Sequence, residues 1–256
     1  MFDWSRKTVF ITGASSGIGW ALAVELGRRG AAVALLARRA EALHELSREV
    51  EAVGGRALAL PVDVRDAERL RAAVAEAENF FGHIDVLIAN AGMGELSPAR
   101  ELDEKIVADV FGVNVLGAIN SVAAVLPQML ERGGGHLVAI SSLAAYRGFP
   151  GSGAYCASKA ALSTFFESLR TELQGSGVAV TTIHPGFIDT PMTRGRNQPM
   201  PYLMTVDNGA RMILRAIEQR RRTYAFPWQL AALSRLIKLM PDALYDRLMR
   251  KALYRQ

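Results

Sequence analysis

The sequence has one cysteine, Cys156, in 256 residues, so it holds no internal disulfide framework and no multi-cysteine zinc site. A disulfide-stapled secreted scaffold is excluded, no metal site is expected, and a reducing, cytoplasmic setting is the expectation. Lysine is also scarce, with five among 30 basic residues. No Pro/Gly/Ser linker, low-complexity tract or 20–50-residue repeat interrupts the chain, so residues 1–256 are expected to form a single domain. The start, Met1-Phe2-Asp3-Trp4-Ser5-Arg6-Lys7, lacks an apolar leader and predicts no targeting segment. One uncharged stretch, Val110–Leu130, is long enough to span a bilayer, yet it carries Asn114, Asn120, Ser121, Pro127 and Gln128. Lipid penalises these groups, so a buried or subunit-interface helix is predicted instead, in a soluble protein.

Half of the residues are hydrophobic and 21% are charged, enough to bury a large core. The net charge of +5 is unevenly placed: residues 211–256 hold 11 Lys+Arg against 3 Asp+Glu, leaving the preceding 210 residues at −3. A net-negative body without an aromatic-interleaved basic groove argues against nucleic acid as a partner.

Short apolar segments rich in β-branched residues recur at Val9–Thr12, Ala32–Ala37, Ala57–Pro61, Val86–Ala89, His136–Ser141, Val178–His184 and Thr223–Phe226. Between them, leucine and valine recur every three or four residues, as in Ile18–Arg29, Ala40–Val53 and Asp66–Phe80. Strands apolar on both faces, alternating with helices, predict an α/β fold: a Rossmann-type, doubly wound parallel sheet of about seven strands covered on both sides. Residues 228–256 read as a basic, helical C-terminal extension.

Directly after the first strand comes Thr12-Gly13-Ala14-Ser15-Ser16-Gly17-Ile18-Gly19. Glycines at such a turn let backbone amides approach a pyrophosphate, and the helix that follows points its N-terminal dipole at the anion. Gly-x-x-x-Gly-x-Gly alone could be an ordinary turn; the flanking strand and helix give it meaning. The second strand ends in Ala37-Arg38-Arg39 rather than in a carboxylate. That favours the 2′-phosphate of NADP over NAD, with Arg38 preferred to Arg39 as its partner and Ser15 assisting. Asp63-Val64, after the third strand, could edge the adenine.

Tyr155 and Lys159 stand four residues apart on a helical segment and share a face. A cation about 4 Å from a phenol favours the phenolate by roughly 4 kcal/mol at an effective dielectric of about 20. With Thr12–Gly19, Asp63-Val64, Asn90-Ala91-Gly92, Asn114, Ser142 and Pro185-Gly186 in order around them, the sequence resembles the short-chain dehydrogenase/reductase family from about Lys7 to Thr190. It departs at Ala89, where that family often has a second asparagine. The resemblance implies that Tyr155 is the acid/base, that Lys159 lowers its pKa and holds the nicotinamide ribose, and that Ser142, not Ser141, steadies the substrate oxygen. It implies that Asn114 binds a relay water and that Asn90, Ala91 and Gly92 line the cofactor. Pro185, Gly186, Ile188 and Thr190 would hold the nicotinamide. His184 and Cys156 read as structural.

The segment at about 190–206, with Met192, Met200, Pro201, Tyr202, Leu203 and Met204, reads as a lid over an apolar substrate. Met93, Leu143, Tyr146 and Phe149 could add to that pocket, while Arg194 and Arg196 leave room for a charged one. The chain lacks the Val-Asp-Gly-Gly-like ending usual in the family's oxoacyl-carrier-protein reductases and resembles, more loosely, the branch acting on lipophilic ketones and alcohols. A 3-oxoacyl-thioester reductase or a non-catalytic NADP-binding regulator are the alternatives. By the same resemblance, a homodimer or homotetramer built on Val107–Leu130 and Tyr155–Leu173 is expected. Leu230, Leu233, Leu236, Ile237 and Met240, continued by Leu244, Tyr245, Leu248, Met249 and Leu253, form apolar stripes amid Arg235, Lys238, Arg247, Arg250, Lys251 and Arg255. They either pack on the body or lie peripherally on a membrane.

Overall fold

The computed structural model describes residues 2–96, 98–194 and 199–253; of the positions named above, Met1, Arg196 and Arg255 lie outside these, as do the side chains of Arg250, Lys251 and Leu253. The elements in chain order are β1 (Thr8–Thr12), α1 (Gly17–Arg28), β2 (Ala32–Ala37), α2 (Ala40–Ala52), β3 (Arg56–Pro61), α3 (Ala67–Phe81) and β4 (Val86–Ala89). There follow α4 (Glu104–Phe111), α5 (Gly117–Glu131), β5 (Gly135–Ile140), α6 (Gly153–Glu172), β6 (Val178–Pro185), α7 (Val206–Glu218), β7 (Thr223–Phe226), α8 (Trp228–Leu239) and α9 (Asp242–Leu253). The strands form one parallel sheet in the order β3-β2-β1-β4-β5-β6-β7.

Alternation along each strand divides the core in two. Val9, Ile11, Val33, Leu35, Val138 and Ile183 face one side, where Leu22 and Leu26 of α1, Leu43 and Leu46 of α2 and Ile213 and Ile217 of α7 cover them. Phe10, Leu36, Leu87 and Leu137 face the other, under Leu70 of α3, Val122 and Val125 of α5 and Leu162 and Phe166 of α6. Leu35 is fully buried; cutting it to alanine costs about 2–5 kcal/mol. Because the chain returns past β1 to begin β4, the crossovers leave that edge in opposite directions, and a crevice opens at the carboxyl ends of β1 and β4.

The long apolar segment does form helix, as Glu104–Glu131, broken by a π turn at Gly112–Leu116. By length and composition it is the one helix among the described residues that could cross a membrane, and 44% of its most apolar stretch is buried within the protein. Ser121 is satisfied by donating to the Gly117 carbonyl.

The C-terminal extension is two helices, split at Pro241, and its predicted apolar stripe divides. Leu230 is buried in a small third cluster with Leu143 and Ala231, against Tyr146 and Phe187, whereas Leu233 and Leu236 face outward. A one-face stripe does not account for this: α8 carries apolar residues on both its inner and its outer face.

Candidate active site

β1 runs straight into the glycine turn. Gly13 has φ +67, a left-handed conformation, and a side chain there would meet the Ala91 backbone at 2.6 Å. A side chain at Gly19 would strike the Gly13 carbonyl, so α1 can pack this close to the turn only with glycine present. Ser16, at the head of α1, makes no side-chain cap, which leaves the first-turn amides unclaimed by it. The turn is held from the neighbouring strand: Asn90 Nδ2 donates to the Thr12 and Gly13 carbonyls, and Thr12 Oγ1 accepts from the Asn90 and Ala91 amides. Asn90 thus braces the turn as well as lining the crevice.

That crevice has a volume of about 490 Å³, within the size range of ligand pockets. Its walls bring together Gly13, Ser15, Ser16, Gly17, Ile18, Arg38, Arg39, Asp63, Val64, Asn90, Ala91, Gly92, Tyr155, Lys159 and Thr190. Gly19, Asn114, Ser142, Pro185, Gly186 and Ile188 stand outside its lining. Gly19 supports the turn from behind, and Ser142 follows the wall residue Ser141. Ile188 has its side chain in the core, so only its backbone is available to a ligand.

At the carboxyl end of β2, the two exposed arginines differ in how they are held. Arg39 Nη2 donates to the carbonyl and hydroxyl of Ser15, at 2.8 and 3.1 Å. Arg38 makes no hydrogen bond to the described residues, and its charge reaches Asp63. Arg65, unnoticed in the sequence, forms ion pairs with Asp63 at 2.8 Å and Asp109 at 2.9 Å. Its hydrogen bonds hold the Asp63 carboxyl below the usual range. The Asp63 carboxylate is therefore committed to Arg65 before any ligand arrives.

At the other end, Tyr155 sits in the first turn of α6, where the helix dipole favours an anion. Lys159, one turn on, is buried, and its Nζ lies 5.9 Å from the centre of the Tyr155 ring while donating to the Ile140 carbonyl at 2.9 Å. Burial lowers its pKa to about 8. Asn114, in the π turn, receives the Met93 amide at Oδ1 and donates from Nδ2 to the Met93 carbonyl and to Ser158 Oγ. Ser158 in turn donates to the Tyr155 carbonyl. The expected water-binding amide is thus mostly occupied, with both hydrogens and one lone pair used. Ser158 adjoins Lys159 and lies three residues after Tyr155 on the same helix face; that spacing was the signal available for it.

Ser142 Oγ accepts from the Ala144 amide at 3.1 Å and caps a short turn, Leu143–Ala145, which leaves its hydrogen free to donate. Ser141 instead donates to the Lys159 carbonyl, the supporting role expected of it. His184 is buried, donates from Nδ1 to the Ser142 carbonyl at 3.1 Å, and has its pKa lowered chiefly by burial. Cys156 is buried, and burial pushes its thiol up. Of the supposed lid residues, Met192 lines the crevice, Met204 packs on the core, and Tyr202 and Leu203 are exposed.

Arg147 carried no local signal in the sequence. Its Nη1 donates to the Ile237 and Met240 carbonyls at the end of α8, its Nη2 pairs with Asp242 of α9, and its guanidinium lies 4.3 Å from the Tyr245 ring centre. Tyr245 Oη closes the circuit by donating to the Gly148 carbonyl. The C-terminal helices are therefore clamped to the loop that begins at Ser142.

The sequence matches the short chain dehydrogenase family over residues 7–201. It is 44% identical over 255 residues to an uncharacterized oxidoreductase of Myxococcus xanthus, covering 98% of this chain and 99% of that one. It is 36% identical over 218 residues to the ketoacyl reductase HetN of Nostoc sp., covering 84% and 76%. Among solved structures, it resembles a short chain dehydrogenase/reductase of Burkholderia phymatum in complex with NAD, with a TM-score of 0.84 and 28% identity over 92% of this chain and 94% of that one.

Proposed function

Since the chain belongs to the short chain dehydrogenase family and so acts as an oxidoreductase on CH–OH or C=O groups, we propose that it is an NADP(H)-dependent reductase of lipophilic carbonyls, or dehydrogenase of the matching alcohols. The observation that carries this is the juxtaposition of Tyr155 and Lys159 in the wall of a crevice whose far end holds Arg38 and Arg39. The residues fit a dinucleotide: Gly13 and Gly19 clear a path for backbone amides, and a side chain at Gly92 would crowd Lys159 Nζ at 3.4 Å.

The amides of Gly17, Ile18 and Gly19, with Ser16, would hold the pyrophosphate. Arg38, with Arg39 set by Ser15, would take the 2′-phosphate; Asp63 and Val64 would edge the adenine. Ala91 and Gly92 would line the ribose, with Lys159 and Tyr155 on its hydroxyls. Pro185, Gly186, the Ile188 backbone and Thr190 would receive the carboxamide. When bound, the nicotinamide supplies or accepts the hydride. Tyr155 Oη donates a proton to the carbonyl oxygen in reduction and takes it back from the alcohol in oxidation. The Lys159 cation and the α6 dipole favour the phenolate left behind. Ser142 donates its free hydrogen to the same oxygen and stabilises its growing charge. Asn114 and Ser158 hold the start of α6 in place, and the remaining lone pair of Asn114 Oδ1 is left for a relay water.

Leu143, Tyr146, Phe187 and Leu230 form the apolar cluster beside Ser142, which is the support for a lipophilic substrate. A second reading, 3-oxoacyl-thioester reduction, is favoured by the 36% identity to a ketoacyl reductase. A panel of alicyclic, long-chain and 3-oxoacyl-thioester carbonyls, assayed with NADPH and with NADH, separates the two. Tyr155→Phe should keep NADPH binding and lower turnover at least about a hundredfold. Near-normal turnover in that variant would remove Tyr155 from the mechanism; no turnover of any carbonyl by the wild type would leave a nucleotide-binding regulator in place of the enzyme.

A further inference from the structure

The outward face of α8 is apolar where a solvent-facing helix is polar. Trp228 is 74% exposed, Leu239 82%, Leu236 63% and Leu233 50%, and these four lie within an arc of about 140° around the helix. The opposite face, with Leu230 and Ala231, is already used against the body. Arg235 is exposed at one edge of the outward face, Lys238 lies on the opposite side with its Nζ 5.9 Å from the Tyr146 ring centre, and α8 contains no acidic residue. On α9, Arg247 and Asp246 are exposed and Asp242 is neutralised by Arg147. Leu244 and Leu248 add further exposed apolar area there.

We propose that this face docks the protein on an anionic lipid surface, with Trp228, Leu233, Leu236 and Leu239 entering the interface and Arg235 and Arg247 meeting lipid phosphates. Charge selects this occupant over a second copy of the chain. A two-fold contact through the outward face of α8 would place Arg235 against its own copy with no acid on the helix to answer it. Tryptophan at the head of the helix also suits the headgroup region, where its ring has one wet and one apolar side. The proposal does not depend on which carbonyl the enzyme reduces.

The full chain is sedimented with vesicles of phosphatidylcholine alone and of phosphatidylcholine with phosphatidylglycerol. Pelleting is expected with the anionic vesicles only, and release at about 0.5 M salt, where screening shortens to a few ångström. Leu236→Asp and Leu239→Asp should each weaken the anionic-vesicle affinity at least tenfold, the change expected when one leucine's burial is lost. Arg235→Glu with Arg247→Glu should abolish the salt-sensitive part. Unchanged thermal unfolding identifies these surface variants as folded, and light scattering of each reports assembly. No pelleting at low salt, or pelleting untouched by both leucine variants, overturns the proposal. So does a fall in molar mass in those variants, which would make α8 a contact between copies.

Discussion

Lys159 is a buried cation whose ammonium donates to the Ile140 carbonyl, and its burial has a measurable consequence. Its pKa is about 8 in the folded chain against an ordinary 10.5, so between those values the unfolded state binds the proton and the folded state does not. Stability must then rise with pH across that window, by up to about 3 kcal/mol, and the penalty is fully present below pH 8. Unfolding midpoints taken from pH 7 to 10.5 should show this rise in the wild type and lack it in Lys159→Met. At the other end of the crevice, Arg38→Asp should weaken NADPH by roughly ten- to a hundredfold and NADH far less, because it replaces a guanidinium with an anion. Titrating both cofactors checks it; an unchanged ratio would pass the phosphate to Arg39. The residue types at these positions could be read directly from the sequence, since Tyr155, Lys159, Arg38 and Arg39 sit at fixed distances from recognisable strands. What each already touches could not: the Ser15–Arg39 and Asp63–Arg65 bonds depend on where loops from different strands meet.

Elements were legible in proportion to how local their cause is. The β2, β4 and β7 ranges follow from runs of apolar residues, and the ends of α1, α2 and α3 fall within a residue of their predicted bounds. The π turn at Gly112–Leu116 left no trace in periodicity, because one extra residue only shifts the phase that follows. It matters nonetheless: it places Asn114 against Met93 and Ser158. Deleting Val113 would restore ordinary helix but turn the preceding residues by about 100° relative to the following ones. The deletion variant should keep its helical circular dichroism while losing at least about a hundredfold in turnover. Arg147 is equally invisible locally, since its partners lie 90 or more residues away. Arg147→Ala should cost about 3 kcal/mol, from charged hydrogen bonds and a cation–π contact, and should expose α8 and α9 to trypsin. Arg147→Lys should recover little, because an ammonium cannot span several carbonyls and a carboxylate at once.

At the scale of the whole molecule, the two-faced sheet explains why composition pointed to the architecture: strands buried on both sides must be apolar throughout, and helices must cover them. The basic C-terminal segment defied the same logic, since α8 satisfies the body with one face and leaves the other apolar. We propose that a separate surface, near Leu102, Val107, Phe111 and Leu116, joins copies of the chain, as oligomers are general in this family. Multi-angle light scattering should give a dimer or tetramer, and Leu116→Asp should shift it toward the monomer. The clamp at Arg147 also sets an order of events during synthesis. When Ser142 leaves the ribosome, the carbonyls and the carboxylate that will fix its loop are still about a hundred codons away, several seconds at ordinary elongation rates. A nascent chain released just after Phe226 would possess every strand of the sheet and the whole nucleotide crevice, yet it would lack the brace behind its Ser142 loop. A chain ending at Phe226 is expected to bind NADPH in a fluorescence titration and to fail to oxidise it with a carbonyl that the full chain reduces.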